Sequence, residues 1–171
     1  MRVILFRHGP AGDRDARRWP DDRLRSLTPR GEERTRRAVR GLLRLEPGVS
    51  GVLTSPLVRC MQSAAILAKS AQLEHTPGAL DALAPRGSWR DVLLRLGESS
   101  PEAAVVLVGH EPELGKLAGV LLFGAPSALP LKKAGGCSIE FDGAVSPGKG
   151  HLRWFLPSRA LGRVVAPRSK V

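Results

Sequence analysis

Short apolar runs alternate with stretches of helical period along most of this chain, and each run gives out into a polar junction just before the next helix begins. Arg2 to Phe6, Val49 to Thr54 and Ala103 to Val108 read as buried strands. Thr28-Pro29 reads as a helix start, because threonine caps free N–H groups and proline at the first position loses no hydrogen bond. Ala38, Val39, Leu42 and Leu43 then recur at helical spacing until Pro47-Gly48 stops them. Ser55-Pro56 repeats the same start for a helix to about Ser70, whose apolar face is Leu57, Cys60, Met61, Ala64, Ala65, Leu67 and Ala68. Ser88 to Gly97 carries Trp89, Val92, Leu93 and Leu96 at helical spacing. Leu114, Leu117, Ala118 and Leu121 do the same after Pro112. Cys137 to Phe141 and His151 to Leu156, split by the turn-rich residues 143–150, read as a closing strand pair. The order predicts an α/β three-layer sandwich with a central, mostly parallel sheet flanked by helices.

With 171 residues the chain suits one domain, 1–171. Its apolar runs fall short of the roughly 18 residues of a membrane span, and the N-terminal run is too short for a signal-peptide core. The expectation is a cytoplasmic protein. Cys60 and Cys137 read as two buried small hydrophobes in a reducing compartment. The histidines His8, His75, His110 and His151 lack metal-ligand spacing, so neither a metal nor another cofactor is expected. A formal charge of +11 favours acidic partners. Aromatic residues are only 4%, too few for a single-strand stacking platform, so nucleic acid is not the expected partner. Arg153, Arg159, Arg163, Arg168 and Lys170 leave the last twenty residues locally cationic.

Three strand-to-helix junctions carry the polar residues that suggest chemistry: Arg7-His8-Gly9, Ser55 to Arg59, and Gly109-His110-Glu111-Pro112. If the strands are parallel neighbours, the junctions meet at one sheet edge. Two imidazoles, two guanidiniums and helix N-termini would then surround one site, suited to an anion with several oxygens. Arginine offers a planar fork to phosphate oxygens. Gly9 lets the backbone turn closely, and a neutral His8 can attack phosphorus. Gly109 to Lys116 fails the Walker pattern, because five residues rather than four separate its glycines and Leu117 follows the lysine.

These residues, with Leu27-Thr28-x-x-Gly31 and Ser55-Pro56-Leu57-x-Arg59-x-x-Gln62, together resemble the histidine phosphatase (phosphoglycerate mutase-like) superfamily. Leu83-Ala84-Pro85-x-Gly87, Leu131 to Gly135 and Trp154-Phe155-Leu156-Pro157 resemble its SixA-type phosphohistidine phosphatases. The resemblance implies that His8 accepts the phosphoryl group, that Arg7 and Arg59 clamp it, and that His110 stabilises the transition state. Gly9, Ser55 and Gly109 would line or support the phosphate pocket. Ser63 stands where many relatives have threonine. Many relatives also place an acid before the second histidine to protonate an ester leaving group. Asp81 lies nearest that region as a candidate general acid, but helix packing or solvent exposure is the preferred explanation for it. An imidazole leaves with less help than an alkoxide, so a weak acid points to phosphohistidine.

The expected reaction is hydrolysis of phosphohistidine on a protein, such as a histidine phosphotransfer domain, through a phospho-His8 intermediate. Two alternatives stay open. One keeps the chemistry but takes small phosphate esters; the other is an idle domain that binds phosphorylated partners or nucleic acid. His75 and His151 read as structural, and Lys132 and Lys133 as a solvated loop.

Overall fold

The structure is a computed structural model and describes residues 1–165; the cationic Arg168 and Lys170 lie outside the described residues. Six strands form one sheet in the order β3-β2-β4-β1-β5-β6. These are β1 (Arg2–Arg7), β2 (Gly51–Thr54), β3 (Gly78–Ala79), β4 (Ala104–Gly109), β5 (Gly136–Glu140) and β6 (His151–Leu156). β3, β2, β4 and β1 run parallel, whereas β5 is antiparallel to both β1 and β6. The sheet is therefore mostly parallel, as expected, and the closing strand pair forms as read.

The central strands are apolar throughout because both faces are covered. Val3, Leu5, Leu53, Val105 and Leu107 point to one side, with Val92 and Leu96 of α3 (Trp89–Gly97) and Leu114, Leu117 and Leu121 of α4 (Glu113–Phe123). Ile4, Phe6, Val52, Val106 and Val108 point to the other, beneath α1 (Pro29–Leu45) and α2 (Val58–Ser70). This division follows the two-residue period of a strand. Each fully buried side chain such as Phe6 or Leu42 contributes roughly 1.5–3 kcal/mol. No helix among the described residues is long and apolar enough to cross a membrane.

Thr28 caps α1 by accepting from the Gly31 N–H at 2.9 Å, with Pro29 at the first position. The helix after β2 starts differently. Leu57 occupies its N-cap without a side-chain cap bond, and α2 begins at Val58, so Ser55-Pro56 is a lead-in rather than a cap. A four-residue helix α5 (Ser158–Leu161) follows β6 and packs on α1. Between Pro77-Gly78 and Gly87 the chain forms β3 and a helical turn at Asp81–Leu83. Cys60 and Cys137 are free and buried.

Candidate active site

β4 lies between β2 and β1, and all three are parallel, so the residues that follow them emerge at the same sheet edge. His8 follows β1, His110 follows β4, and Arg59 sits in the first turn of α2, beyond β2. Arg7, His8, Arg59 and His110 line one cleft of about 440 Å³. The two imidazoles stand 5.0 Å apart between ring centroids.

Each side chain is held from behind. His8 Nδ1 lies 2.7 Å from the Gly9 carbonyl. A carbonyl only accepts, so Nδ1 carries the proton and Nε2 carries the lone pair. Burial is the leading cause that pushes the His8 pKa down, to about 3; the Gly9 carbonyl opposes it, while His110, Arg59 and Arg7 add to it. The arginines do depress His8, but less than the loss of water does. His110 is lowered to about 4, again first by burial and then by Arg59. Both rings are neutral near pH 7.

Arg59 is 1% exposed. Its Nη1 donates to the Asp22 carbonyl at 2.8 Å, and its Nη2 to Asp22 Oδ2 at 3.0 Å. Burial alone would raise the Asp22 carboxyl, yet the hydrogen bond from Arg25 and the charges of Arg59, Arg25 and Arg14 hold it below the usual range. Arg7 Nη1 donates to the Leu131 carbonyl at 2.8 Å, and Glu111 Oε1 accepts the N–H of the same residue at 3.1 Å. The Nε–H groups of Arg7 and Arg59 are buried without a hydrogen-bond partner. A buried unpartnered donor costs about 1–3 kcal/mol.

Other expected site residues stand behind this lining. Ser55 is fully buried, and its hydroxyl is 2.9 Å from His110 Nε2. Cys60 Sγ approaches the same nitrogen at 3.3 Å, and burial pushes its thiol pKa up to about 12, so it stays protonated. Where the Ser55 hydroxyl donates to Nε2, the His110 proton sits on Nδ1. Gly109 supplies its carbonyl to the His8 N–H and packs against Leu114. Gly9 receives Ser63 Oγ on its N–H at 3.1 Å, and a Cβ there would collide with Thr35 Oγ1 of α1. The need for glycine at position 9 thus comes from helix packing. Asp81 is exposed and lines a separate depression with Asp22, Arg23 and Pro56.

Sequence reasoning passed over Asp22, Arg25, Arg86 and Glu113, and read Lys133 as part of a solvated loop. Arg25, Arg86, Glu113 and Lys133 line the cleft, and Asp22 braces it from outside. Arg86 adopts a left-handed φ of 67° and donates its N–H to Glu113 Oε1 at 3.0 Å. Beyond Arg86 and Glu113, which belong to both, lies a second cavity of about 460 Å³ walled by Leu83, Trp89, Val92 and Leu117. The Lys133 ammonium has its pKa lowered by burial first and then by Arg7 and Arg25.

The family model of the histidine phosphatase superfamily (branch 1) matches residues 3–83, the segment that contains Arg7, His8 and Arg59. The protein histidine phosphatase SixA complexed with tungstate superposes at a TM-score of 0.79 with 26% identity, over 94% of this chain and 99% of that one. The chain belongs to the histidine phosphatase superfamily. An uncharacterized protein of Picosynechococcus is 44% identical over 138 residues, 79% of this chain and 82% of the relative. A phosphoserine phosphatase mutant from Entamoeba histolytica, in complex with phosphoserine, shares the fold at a TM-score of 0.65 and 16% identity, over 92% and 98% of the two chains. Phosphatase chemistry is common to the superfamily, and its members differ in the phosphorylated substrate they take.

Proposed function

We propose that this protein hydrolyses phosphohistidine on a protein, with His8 as the acceptor of the phosphoryl group. The observation that carries this reading is a neutral His8 with its Nδ1 tied to Gly9, placed in one cleft with Arg7, Arg59 and His110. Its Nε2 lone pair attacks phosphorus, and an N–P bond forms as the bond to the leaving imidazole breaks. That imidazole takes the electron pair and then a proton from solvent. Water next attacks phospho-His8; its oxygen bonds to phosphorus as the P–Nε2 bond breaks and Nε2 takes back the electron pair, the water's protons go to phosphate and solvent, and His8 returns neutral. Arg7 and Arg59 offset charge on the equatorial oxygens, and His110 donates from Nδ1. Gly9 and Ser55 position the two rings.

The leaving group selects the substrate. Asp81 stands outside the cleft, and Glu111 is engaged by the Leu131 N–H, so neither is placed as a free acid for an alkoxide. An imidazole manages without one. The free buried cysteines fit a reducing cytoplasm. A second reading, small phosphate esters, is favoured by Glu113, which stands between the cleft and the apolar cavity where an ester's body would sit.

Reacting the protein with labelled phosphohistidine and trapping the phosphoenzyme tests the proposal. Label is expected on His8 and absent from His8→Ala. Turnover of esters that exceeds phosphohistidine and collapses in Glu113→Gln would establish the second reading instead.

A further inference from the structure

The exposed side of α1 presents Arg30, Arg34 and Arg37 at a spacing that places them on one face. α5 packs against α1, with the Leu161 backbone closing over Gly41, and brings Arg159 and Arg163 to the opposite wall. The result is a groove of about 840 Å³ lined by five guanidiniums. Among the described residues its one carboxylate is Glu33, already paired with Arg37 at 2.8 Å. Arg34 is oriented by Ser158, whose Oγ accepts from Arg34 Nε at 2.7 Å. Like charges gathered this closely repel one another in the free protein, and an anionic surface relieves that repulsion.

The groove and the cleft are separate, but α1 connects their neighbourhoods. Gly31 packs against the Pro10 carbonyl, two residues beyond His8, so the Arg30 and Arg34 end of α1 adjoins the loop that leaves the nucleophile. Lys133 lines the cleft, where the charges of Arg7, Arg25 and Arg34 act on it against that of Asp13. Cationic side chains therefore stand in the cleft and along the α1–α5 groove. The groove's forked donors suit carboxylates, which accept two parallel bonds from arginine. Among the described residues no aromatic side chain lines the groove for base stacking.

We propose that the α1–α5 groove docks an acidic face of the protein that carries the phosphoryl group. This rests on the phosphohistidine reading and extends it: the cleft takes the phosphoryl group while the groove selects its carrier. Small phosphorylated compounds bypass the groove.

The test compares Arg159→Glu/Arg163→Glu, and the milder Arg159→Gln/Arg163→Gln, with wild type. One substrate is an acidic phosphotransfer domain phosphorylated on histidine; the other is phosphoramidate. The expected result is a KM for the domain raised at least tenfold by the Glu pair and less by the Gln pair, with kcat/KM for phosphoramidate unchanged. Salt between 50 and 300 mM should weaken domain turnover in wild type on the order of tenfold and in the Glu pair far less. Titration of the unphosphorylated domain into each protein reads docking apart from chemistry, so a wild type that cannot turn over phosphohistidine defeats the substrate reading and leaves docking measurable. Equal domain affinity in all three proteins overturns the proposal, as does an equal loss on both substrates. Duplex DNA binding that the Glu pair abolishes, with domain kinetics untouched, assigns the groove to nucleic acid and overturns it too.

Discussion

Asp22 holds Arg59 through two separate oxygens, its backbone carbonyl at 2.8 Å and its Oδ2 at 3.0 Å, across 37 residues of sequence. The guanidinium plane is thus set by a loop residue, and Arg25 locks that residue in turn by donating Nε to Asp22 Oδ1 at 2.7 Å. A clamp on phosphate depends on where its fork points, and a misplacement near 1 Å can cost on the order of a hundredfold.

Asp22→Ala should therefore lower kcat/KM on the order of tenfold to a hundredfold, mostly through weaker phosphate binding. Asp22→Asn keeps the backbone carbonyl and one side-chain oxygen, enough to hold Arg59 or Arg25 but not both, and should lose less than Asp22→Ala. Steady-state kinetics with phosphate as a competitive inhibitor reads both; an inhibition constant unmoved by Asp22→Ala would mean that α2 alone orients Arg59.

Two buried neutral histidines make stability depend on acid. An unfolded histidine titrates near 6.5, whereas His8 and His110 in the fold titrate near 3 and 4. Between those values the unfolded chain binds more protons, so stability present above pH 6.5 is lost as pH falls through the window. Each ring contributes a slope of up to about 1.4 kcal/mol per pH unit. Urea midpoints from pH 7.5 to 5 should fall more steeply in wild type than in His8→Gln/His110→Gln. NMR should show neither ring titrating above pH 5, and a midpoint near 6.5 for either would contradict the burial argument.

Ser55 supplies a test of the His110 tautomer. Ser55→Ala removes the hydroxyl 2.9 Å from Nε2 and leaves a buried ring nitrogen dependent on Cys60. A stability loss of about 1–2 kcal/mol is expected, with kcat down about tenfold. The split matters: a fall in KM-limited binding with kcat intact would show that Ser55 fixes position and leaves the proton where it was.

The features legible in the sequence are those set by neighbours a few residues away. Arg7, His8, Arg59 and His110 stand at strand-to-helix junctions, and the alternation of apolar runs shows where such junctions lie. Asp22 and Lys133 reach the site from loops, so only the folded chain discloses them. Ser55-Pro56 carries a helix-start pattern, yet the hydroxyl goes to His110, a buried imidazole that needs a partner, and α2 starts at Val58 without a side-chain cap. The two residues of β3 are ordered by pairing with β2, and α5 by packing on α1, neither of which leaves a periodic trace. His8 shows the same limit in its electrostatics: its arginine neighbours can be read from sequence, while the burial that dominates cannot.

Gly9 offers a prediction that separates packing from chemistry. A Cβ at position 9 would meet Thr35 Oγ1 first, then the Gly31 carbonyl at 3.2 Å and Leu27 Cδ2 at 3.3 Å. Thr35 is fully buried, and its hydroxyl donates to the Gly31 carbonyl at 2.8 Å, so it cannot swing aside without losing that bond. Gly9→Ala should cost about 1–3 kcal/mol through overpacking. Thr35→Ala should cost about 0.5–1.5 kcal/mol for the lost hydrogen bond. Removing Oγ1 clears the worst clash, and the double variant should therefore be more stable than the sum of the two losses implies, with a coupling of about 1 kcal/mol or more. Urea unfolding of the four proteins measures that coupling directly. Simple additivity would mean that the α-carbon of Gly9 is pressed by the Gly31 and Leu27 side of the contact, and that α1 is held off the His8 loop by backbone rather than by Thr35.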